Sequence, residues 1–276
     1  MTTIRPIDIV TPIRAGSFRI KEAQLTGRGP LFVRHLRTML SRSWTPVLPI
    51  FCWLIDHPEG TFLVDTGPRQ SRAWRYPRYH LYYPLAYRAR VDPTEGIGNG
   101  LDDLGLTVDD IDTVVLTHLH PDHAEGLELV PGIEVTVDEG EYRYASSLRG
   151  RFWGLHPSLR PAAERTDVVT MDGGSVGPFE RSHELANGVS MVPTPGHTPH
   201  HRSVVVEGDG PTVLLAADAC MQIDQLDTGR IDGVTVDTAG ARDTIERIGR
   251  WQRETELIVL PSHDPRGVEY LTEARG

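Results

Sequence analysis

The chain has 276 residues, of which 39% are hydrophobic and 24% are charged, and its formal net charge is −10. A chain of this length and composition can bury a large core without disulfides or a structural metal, which excludes a small stapled fold. The acidic balance opposes binding to nucleic acid phosphates or to anionic membrane surfaces.

The two cysteines, Cys52 and Cys220, are isolated from each other in the sequence. Such cysteines are typical of reduced thiols in a cytosolic protein. The first residues show no signal peptide, and no apolar run approaches the roughly 20 residues of a membrane span. We therefore expect a soluble, cytoplasmic protein with no nucleic acid or membrane partner.

Short apolar runs bounded by Gly, Pro or charge recur along the chain and predict β-strands. These runs lie at 47–55, 61–65, 112–117, 133–137, 188–193, 202–207, 212–218 and 256–262. Helical patterns lie at 93–106, 138–148 and 238–254. In the last pattern Ile245, Ile248 and Trp251 are about one turn apart, so one face is apolar. Helices that follow clusters of strands suit a single α/β domain over 1–276 with two packed sheets and helices outside, although other α/β layouts stay open.

The segment 69–90 stands apart because it mixes arginines with most of the tyrosines and has no clean period. One interpretation is a packed surface excursion or a subunit contact. The other is an inserted lid that walls a pocket with amphipathic rings. In that case the substrate-contacting candidates are Tyr76, Tyr79, Tyr82, Tyr83 and Tyr87.

The strongest chemical signal is the run THLHPDH at 117–123, which directly follows an apolar strand pattern. His118 and His120 are two residues apart, so in an extended chain they share a side. Asp122 and His123 follow a proline and can point elsewhere. One loop can therefore serve two neighbouring metal ions, and imidazoles combined with a carboxylate suit zinc, with iron or manganese as alternatives.

Three later segments supply further candidate ligands. TPGHTPHH contains His197, LLAADAC contains Asp218, and LPSHDP contains His263. Each candidate lies at the end of a predicted strand, where the loops of a sandwich collect. Any one of them alone is weak evidence, because a single histidine or aspartate in a turn is often structural. Their joint placement favours a metal site.

These motifs resemble those of the metallo-β-lactamase superfamily and, within it, those of the N-acyl homoserine lactonases. THLHPDH is similar to the HxHxDH signature and DTG at 65–67 to a further motif, and the similarity runs over about 47–264. The resemblance implies the αββα metallo-β-lactamase fold, with two mixed sheets, and two Zn²⁺ per chain, with Fe, Mn or Co as alternatives. It also implies that a metal-bound hydroxide opens a lactone, which makes the protein a candidate for quorum quenching. The oligomeric state stays open, with a homodimer as one alternative.

Carried over residue by residue, the resemblance places His118, His120 and His197 on the first metal. It places Asp122, His123 and His263 on the second metal, with Asp218 bridging the two. Asp65 is implied to support the metal loop without binding metal. His201 is a candidate for orienting one ligand from behind, and Asp122 for passing a proton to the leaving alkoxide as the catalytic acid.

Three departures from the lactonase pattern concern the substrate. Similar lactonases carry a tyrosine three residues after the bridging aspartate, where this chain has Met221, and a thioether cannot donate that hydrogen bond. His200 and Glu125 stand where glycines are usual. The candidate ligands are unaffected, but the identity of the lactone is put in doubt, and Met221 and His200 join the candidates for substrate contact.

Three other functions stay open. One is a hydrolase of the same fold that acts on a thioester or a phosphodiester. Another is an oxidoreductase similar to the persulfide dioxygenases, which use a single iron, and metal analysis would separate one iron from two zinc-like ions. The third is a non-enzymatic metal binder, which has no need of seven ligand-type residues beside a water-accessible cleft.

Overall fold

The computed structural model describes residues 4–69, 82–153, 155 and 161–276. Within these residues twelve strands form two sheets, each mixing parallel and antiparallel pairs. The seven-stranded sheet runs in the spatial order β4 (Tyr87–Arg90), β1 (Val10–Ile20), β2 (Leu48–His57), β3 (Gly60–Val64), β5 (Thr113–Leu116), β6 (Glu134–Asp138) and β7 (Thr166–Val169). The five-stranded sheet runs in the order β12 (Leu257–Pro261), β11 (Thr212–Ala217), β10 (Arg202–Val206), β9 (Val189–Pro193) and β8 (His183–Ala186).

The described helices connect the strands and cover the sheets. They are α1 (Pro6–Ile9), α2 (Leu31–Leu40), α3 (Tyr82–Ala86), α4 (Ile97–Asp103), α5 (Pro121–Ala124), α6 (Glu139–Tyr144), α7 (Leu148–Phe152), α8 (Asp224–Thr228), α9 (Thr238–Glu254) and α10 (Pro265–Ala274). Short 3₁₀ turns occupy Glu22–Gln24, Val108–Asp110, Glu125–Leu129 and Ala163–Arg165. Among the helices described, none combines the length and the apolar character needed to cross a membrane.

Three buried apolar clusters define the layers of the molecule. Side chains alternate along a strand, so Phe51, Trp53 and Ile55 of β2 face the five-stranded sheet and pack with residues of β9 to β12. Their neighbours Cys52 and Leu54 face the opposite way and pack with helix α4. Helix α9 covers the outer face of the five-stranded sheet. The order helix, sheet, sheet, helix confirms the predicted αββα sandwich.

The predicted strands and helix α9 are found close to their predicted bounds, whereas α4 and α6 are shorter than the predicted 93–106 and 138–148. Helices α2 and α10 and four strands escaped the sequence analysis. One is β1, in which Pro12 pairs only with β2 because β4 begins to pair at Ser17. A proline is tolerated on such an open edge, and it hides the strand pattern. The others, β4, β7 and β8, are four residues long. A strand of that length carries too few residues for a period to be recognised.

The segment 69–90 is described only in part. Tyr76 and Tyr79 lie outside the described residues. Tyr82 begins helix α3, and Tyr87 begins strand β4, which pairs antiparallel with β1. The last part of the expected insertion is therefore an edge strand of the larger sheet, because its backbone completes the pairing of β1.

Candidate metal centre

The candidate ligands come from loops that meet at one edge of the sandwich. The loop after β5 carries His118, the loop after β9 carries His197, and β11 and β12 lead to Asp218 and His263. Backbone hydrogen bonds join the two sheets at this edge. The amide of Arg202 donates to the carbonyl of Thr117 at 2.9 Å, and the amide of Phe51 donates to the carbonyl of Ser262 at 2.9 Å.

Among the described residues, two other than glycine have positive φ, and both lie beside this site: Asp65 at 61° and Ala217 at 47°. Such backbone costs free energy in a residue with a Cβ, so it persists only where surrounding contacts hold it. At Ala217 the register between β11 and β12 shifts. This irregularity turns the next residue, Asp218, towards the histidines.

The first group of ligand-type atoms contains three imidazole nitrogens. His120 Nδ1 lies 3.1 Å from His118 Nε2 and 2.8 Å from His197 Nε2. Asp218 Oδ2 lies 3.2 Å from His197 Nε2 and 3.9 Å from His118 Nε2. Four ligand atoms from three loops therefore surround one point.

The second group uses the other oxygen of the same aspartate. Asp218 Oδ1 lies 3.0 Å from His263 Nε2 and 3.5 Å from His123 Nε2. Asp122 Oδ2 lies 3.7 Å from His263 Nε2. Because each oxygen of Asp218 faces a different group, the carboxylate has the arrangement of a bridge between two cations.

Several of these atoms lack a hydrogen-bond partner among the described residues although they are buried. They include His123 Nε2, His263 Nε2 and Asp218 Oδ1. A buried polar atom without a partner costs free energy, and few remain in a native protein. The three atoms face one another, so a cation between them satisfies all three, and neutral imidazole with carboxylate is a donor set that suits divalent transition metals. The residues fit a binuclear metal site.

Burial favours the metal-binding form of two histidines in the first group. Burial, followed by the neighbouring imidazoles, lowers the pKa of His118 well below its usual value. Burial likewise lowers the pKa of His120. Both side chains are therefore neutral at pH 7 and keep a lone pair for a metal.

Three residues lie next to the candidate ligands and support them. Asp65 Oδ2 lies 2.7 Å from His123 Nδ1, and Asp65 also accepts hydrogen bonds from Thr117. His201 Nε2 accepts from the backbone amide of Asp218 at 3.2 Å. Asp232 Oδ2 lies 3.6 Å from His197 Nδ1. A hydrogen-bonded partner such as Asp65 orients a ligand and fixes its tautomer. Asp232 lies beyond hydrogen-bond distance and acts on His197 through its charge. Asp232 was missed in the sequence because it lies in a loop without a motif.

A buried carboxylate, Glu141 on helix α6, joins two of the histidine loops. Its Oε1 accepts from the amide of Leu119 at 3.1 Å, and its Oε2 accepts from the hydroxyl of Thr198 at 2.8 Å. Leu119 lies between His118 and His120, and Thr198 follows His197. Burial raises the pKa of Glu141 to about 7. No motif around Glu141 distinguishes it in the sequence from its exposed neighbours.

We expect Glu141→Gln to change how stability depends on pH. The unfolded carboxyl ionises near pH 4.5 but the folded one only near 7, so wild type should lose stability as pH rises through this window. A shift of this size corresponds to about 3 kcal/mol. The amide of the variant cannot ionise, so urea unfolding should show the variant gaining about that much relative to wild type between pH 4.5 and 7. A difference that stays constant across the window contradicts the prediction.

A cleft opens above the two groups of ligand atoms. Its described lining, apart from the ligands, consists of Phe18, Gln24, His35, Tyr82, Tyr83, Tyr87, Trp153, Met221 and Val234. Met221 and the three described tyrosines were expected there. The other five residues come from elements without a chemical motif, so only their position in the fold identifies them. Most of the wall is aromatic or aliphatic, which suits an apolar substrate with one polar end.

One expected substrate contact lies elsewhere. His200 packs against Gly140 and Tyr144, with its ring centre 6.0 Å from that of Tyr144, and it is absent from the described lining of the cleft. The chain turns between Thr198 and His201, where the amide of His201 donates to the carbonyl of Thr198 at 3.3 Å, and His200 lies against helix α6. His200 is therefore dropped as a candidate for substrate contact.

Comparisons with known proteins agree with this fold. The profile of the metallo-β-lactamase superfamily matches residues 45–263. The N-acyl homoserine lactonase AiiB of Agrobacterium fabrum is 31% identical over 90% of this chain and 91% of its own length. A crystal structure of an AiiA mutant from B. thuringiensis, with N-decanoyl-L-homoserine bound at the active site, has a TM-score of 0.75 and 21% identity and covers 98% of this chain and 97% of its own. AidC, described as a dizinc quorum-quenching lactonase, has a TM-score of 0.66 and 16% identity over 93% of this chain and 87% of its own.

Proposed function

This chain belongs to the metallo-β-lactamase superfamily, and from that membership we propose that it opens lactone rings at a binuclear metal centre, with N-acyl homoserine lactones as the first candidate substrates. The bridging geometry of Asp218 carries the proposal, because its two oxygens each face a separate group of imidazoles. The relative from Agrobacterium fabrum, an N-acyl homoserine lactonase, supports the choice of substrate.

The distances between ligand-type atoms divide the proposed ligands into two groups. His118, His120 and His197 hold the first ion, and Asp122, His123 and His263 hold the second. Asp218 contributes one oxygen to each. We propose Zn²⁺ for both positions, because imidazole and carboxylate suit zinc and the similar protein AidC is described as dizinc. Iron, manganese and cobalt are outcomes that metal analysis would distinguish.

The residues around the centre have separate roles in the proposed reaction. When bound, a pair of cations supplies an acidified water and polarises the ester carbonyl. The apolar wall, with Met221 and Tyr83, holds the organic part of the substrate and excludes bulk water. Asp122 lines the cleft, where its carboxyl can pass a proton to the departing alkoxide. Both sheets contribute to this one site, so we treat 1–276 as a single domain.

A hydrolysis panel tests the proposal. Purified protein loaded with Zn²⁺ should contain two ions per chain and should hydrolyse homoserine lactones or simple γ- and δ-lactones faster than thioesters and phosphodiesters. The rates are followed by the acid released, with metal-free protein as the control. Faster turnover of a thioester or a phosphodiester would contradict the substrate assignment. A single bound iron would contradict the binuclear site and favour an oxidoreductase, a function that leaves Asp122 and His263 without a role.

A further inference from the structure

A column of aromatic rings stands beside the second group of ligand atoms. The ring of Phe18 packs edge-on against the imidazole of His263, with centres 4.6 Å apart. The ring of Tyr87 stacks on Phe18, with centres 5.2 Å apart and planes inclined by 16°. Strand β4 fixes Tyr87 in register opposite Ile20 of β1. Tyr87 is thus held by its ring and by its backbone, so its hydroxyl has a defined position.

That hydroxyl reaches a proposed ligand. Tyr87 Oη lies 3.3 Å from Asp122 Oδ2, the oxygen that also lies 3.7 Å from His263 Nε2. An ionised carboxylate only accepts hydrogen bonds, so the phenol donates. Asp122 sits on helix α5, which has four residues and ends in a 3₁₀ turn. An aspartate side chain can adopt several rotamers, so the carboxylate has a fixed direction only where a partner holds it.

The other two ligands of this group each have a fixed partner. His123 Nδ1 is held by Asp65 at 2.7 Å, and His263 Nδ1 donates to the backbone carbonyl of Pro49 at 3.0 Å. Among the hydrogen bonds of the described residues, the one from Tyr87 fills the same place for Asp122. Three ligands from two loops therefore have three partners from β2, the end of β3 and β4. Outer partners of this kind orient ligands and tune their affinity for metal.

We propose that Tyr87 is the positioning residue of Asp122: its hydroxyl holds the carboxylate in the orientation of a ligand of the second ion. The inference rests on the proposed binuclear centre and adds to it a residue outside the metal motifs. It also assigns strand β4 a direct part in the site. Asp122 belongs to the group proposed for the second ion and not to His118, His120 and His197, so we expect the effect to be concentrated on the second ion.

The variant Tyr87→Phe isolates the hydroxyl, because phenylalanine keeps the ring that stacks on Phe18. Zn²⁺ binding is measured by competition with a chromophoric chelator, which yields the dissociation constants of both ions without any substrate. We expect one of the two ions to dissociate about 10–100-fold more readily from the variant than from wild type, with the other constant unchanged. For the best substrate in the panel, kcat should fall while KM stays close to wild type, because Asp122 acts on the reacting ester more than on the resting substrate.

The matched control is Tyr144→Phe. Tyr144 is another tyrosine, and unlike that of Tyr87 its buried hydroxyl has no hydrogen-bond partner among the described residues. It also lies outside the described lining of the cleft. Its variant should match wild type in both metal constants and in kcat. The inference is overturned if Tyr87→Phe leaves both constants at wild-type values or weakens both ions equally. Wild type that binds two ions but hydrolyses no lactone would refute the proposed substrate and leave the role of Tyr87 standing.

Discussion

Lactone hydrolysis should fall by at least about 10³-fold when Asp218 is replaced by alanine, because two ions that together stabilise several kcal/mol of developing charge lose their shared ligand. In the structure each oxygen of Asp218 faces its own pair of imidazoles, at 3.0–3.9 Å. Removing the carboxylate also leaves the buried histidines without the negative charge that offsets a bound cation. Elemental analysis of the purified variant should therefore find fewer than two ions per chain.

Replacing Asp218 with asparagine removes only one of the two carboxylate oxygens. Asp218→Asn keeps one carbonyl oxygen and presents an NH₂ group to the other set of imidazoles, and that group cannot bind a cation. We expect at most one ion per chain. The control is Asp167→Ala on strand β7, where the side chain is exposed and far from any ligand motif, and it should retain both ions. If Asp218→Ala keeps two ions and activity within tenfold of wild type, Asp218 is not the bridge.

The largest loss of stability is expected from Asp138→Ala. Asp138 Oδ2 accepts from Arg202 Nη2 at 2.7 Å and from Arg202 Nε at 3.1 Å, and both side chains are buried. Removing one partner of a buried ion pair leaves an uncompensated charge and costs about 3–5 kcal/mol. Asp138 is also the N-cap of helix α6, where its Oδ1 accepts from the amide of Glu141 at 3.1 Å, and losing a cap costs about 1 kcal/mol more. Urea unfolding of metal-free protein measures the sum.

Two companion variants separate the contributions. Asp138→Asn keeps an oxygen for the cap but places an NH₂ group against Arg202, so it should lose most of the ion-pair energy and keep the cap. Glu139→Ala removes the neighbouring carboxylate, which pairs with Arg143 across an exposed turn at 2.7 Å. An exposed pair at this spacing contributes only about 0.3–0.5 kcal/mol, so this control should stay close to wild type. Equal losses in Asp138→Ala and Glu139→Ala would contradict the argument from burial.

Arg202 shows why this pair also matters for the site. Its Nη1 donates to the backbone carbonyl of His201 at 3.0 Å, and its amide donates to the carbonyl of Thr117 in the other sheet. Arg202 thus joins the loop that carries His118 to the strand that follows the His197 loop, and the ion pair fixes its side chain to the end of β6. A variant at Asp138 should weaken metal binding as well as stability, because the two ligand loops are no longer held at a fixed separation.

The sequence predicted those parts of the molecule that depend on local pattern. Strands with an apolar run bounded by turn residues were found, and helix α9 was predicted at its observed bounds because its apolar face repeats at the helical period. The ligand-type residues were recognised because metal chemistry restricts which side chains can serve and concentrates them in a few short loops. The order of elements favoured the αββα layout, and the metal motifs separated it from other α/β layouts.

The tertiary structure alone decided which residues wall the cleft and which hold the ligands in place. Phe18, His35 and Trp153 come from a strand, a helix and a loop that are far apart in the chain, and no period or motif links them. Positions 22 to 57 residues apart are joined by the hydrogen bond from Tyr87 to Asp122 and by the bonds that Glu141 accepts from the two histidine loops. Local sequence determines side-chain chemistry and strand ends, but a contact between distant residues depends on how the sheets twist and pack. The sequence was therefore sufficient to predict the metal-ligand residues. The residues that position those ligands could be identified only from the packing of the two sheets.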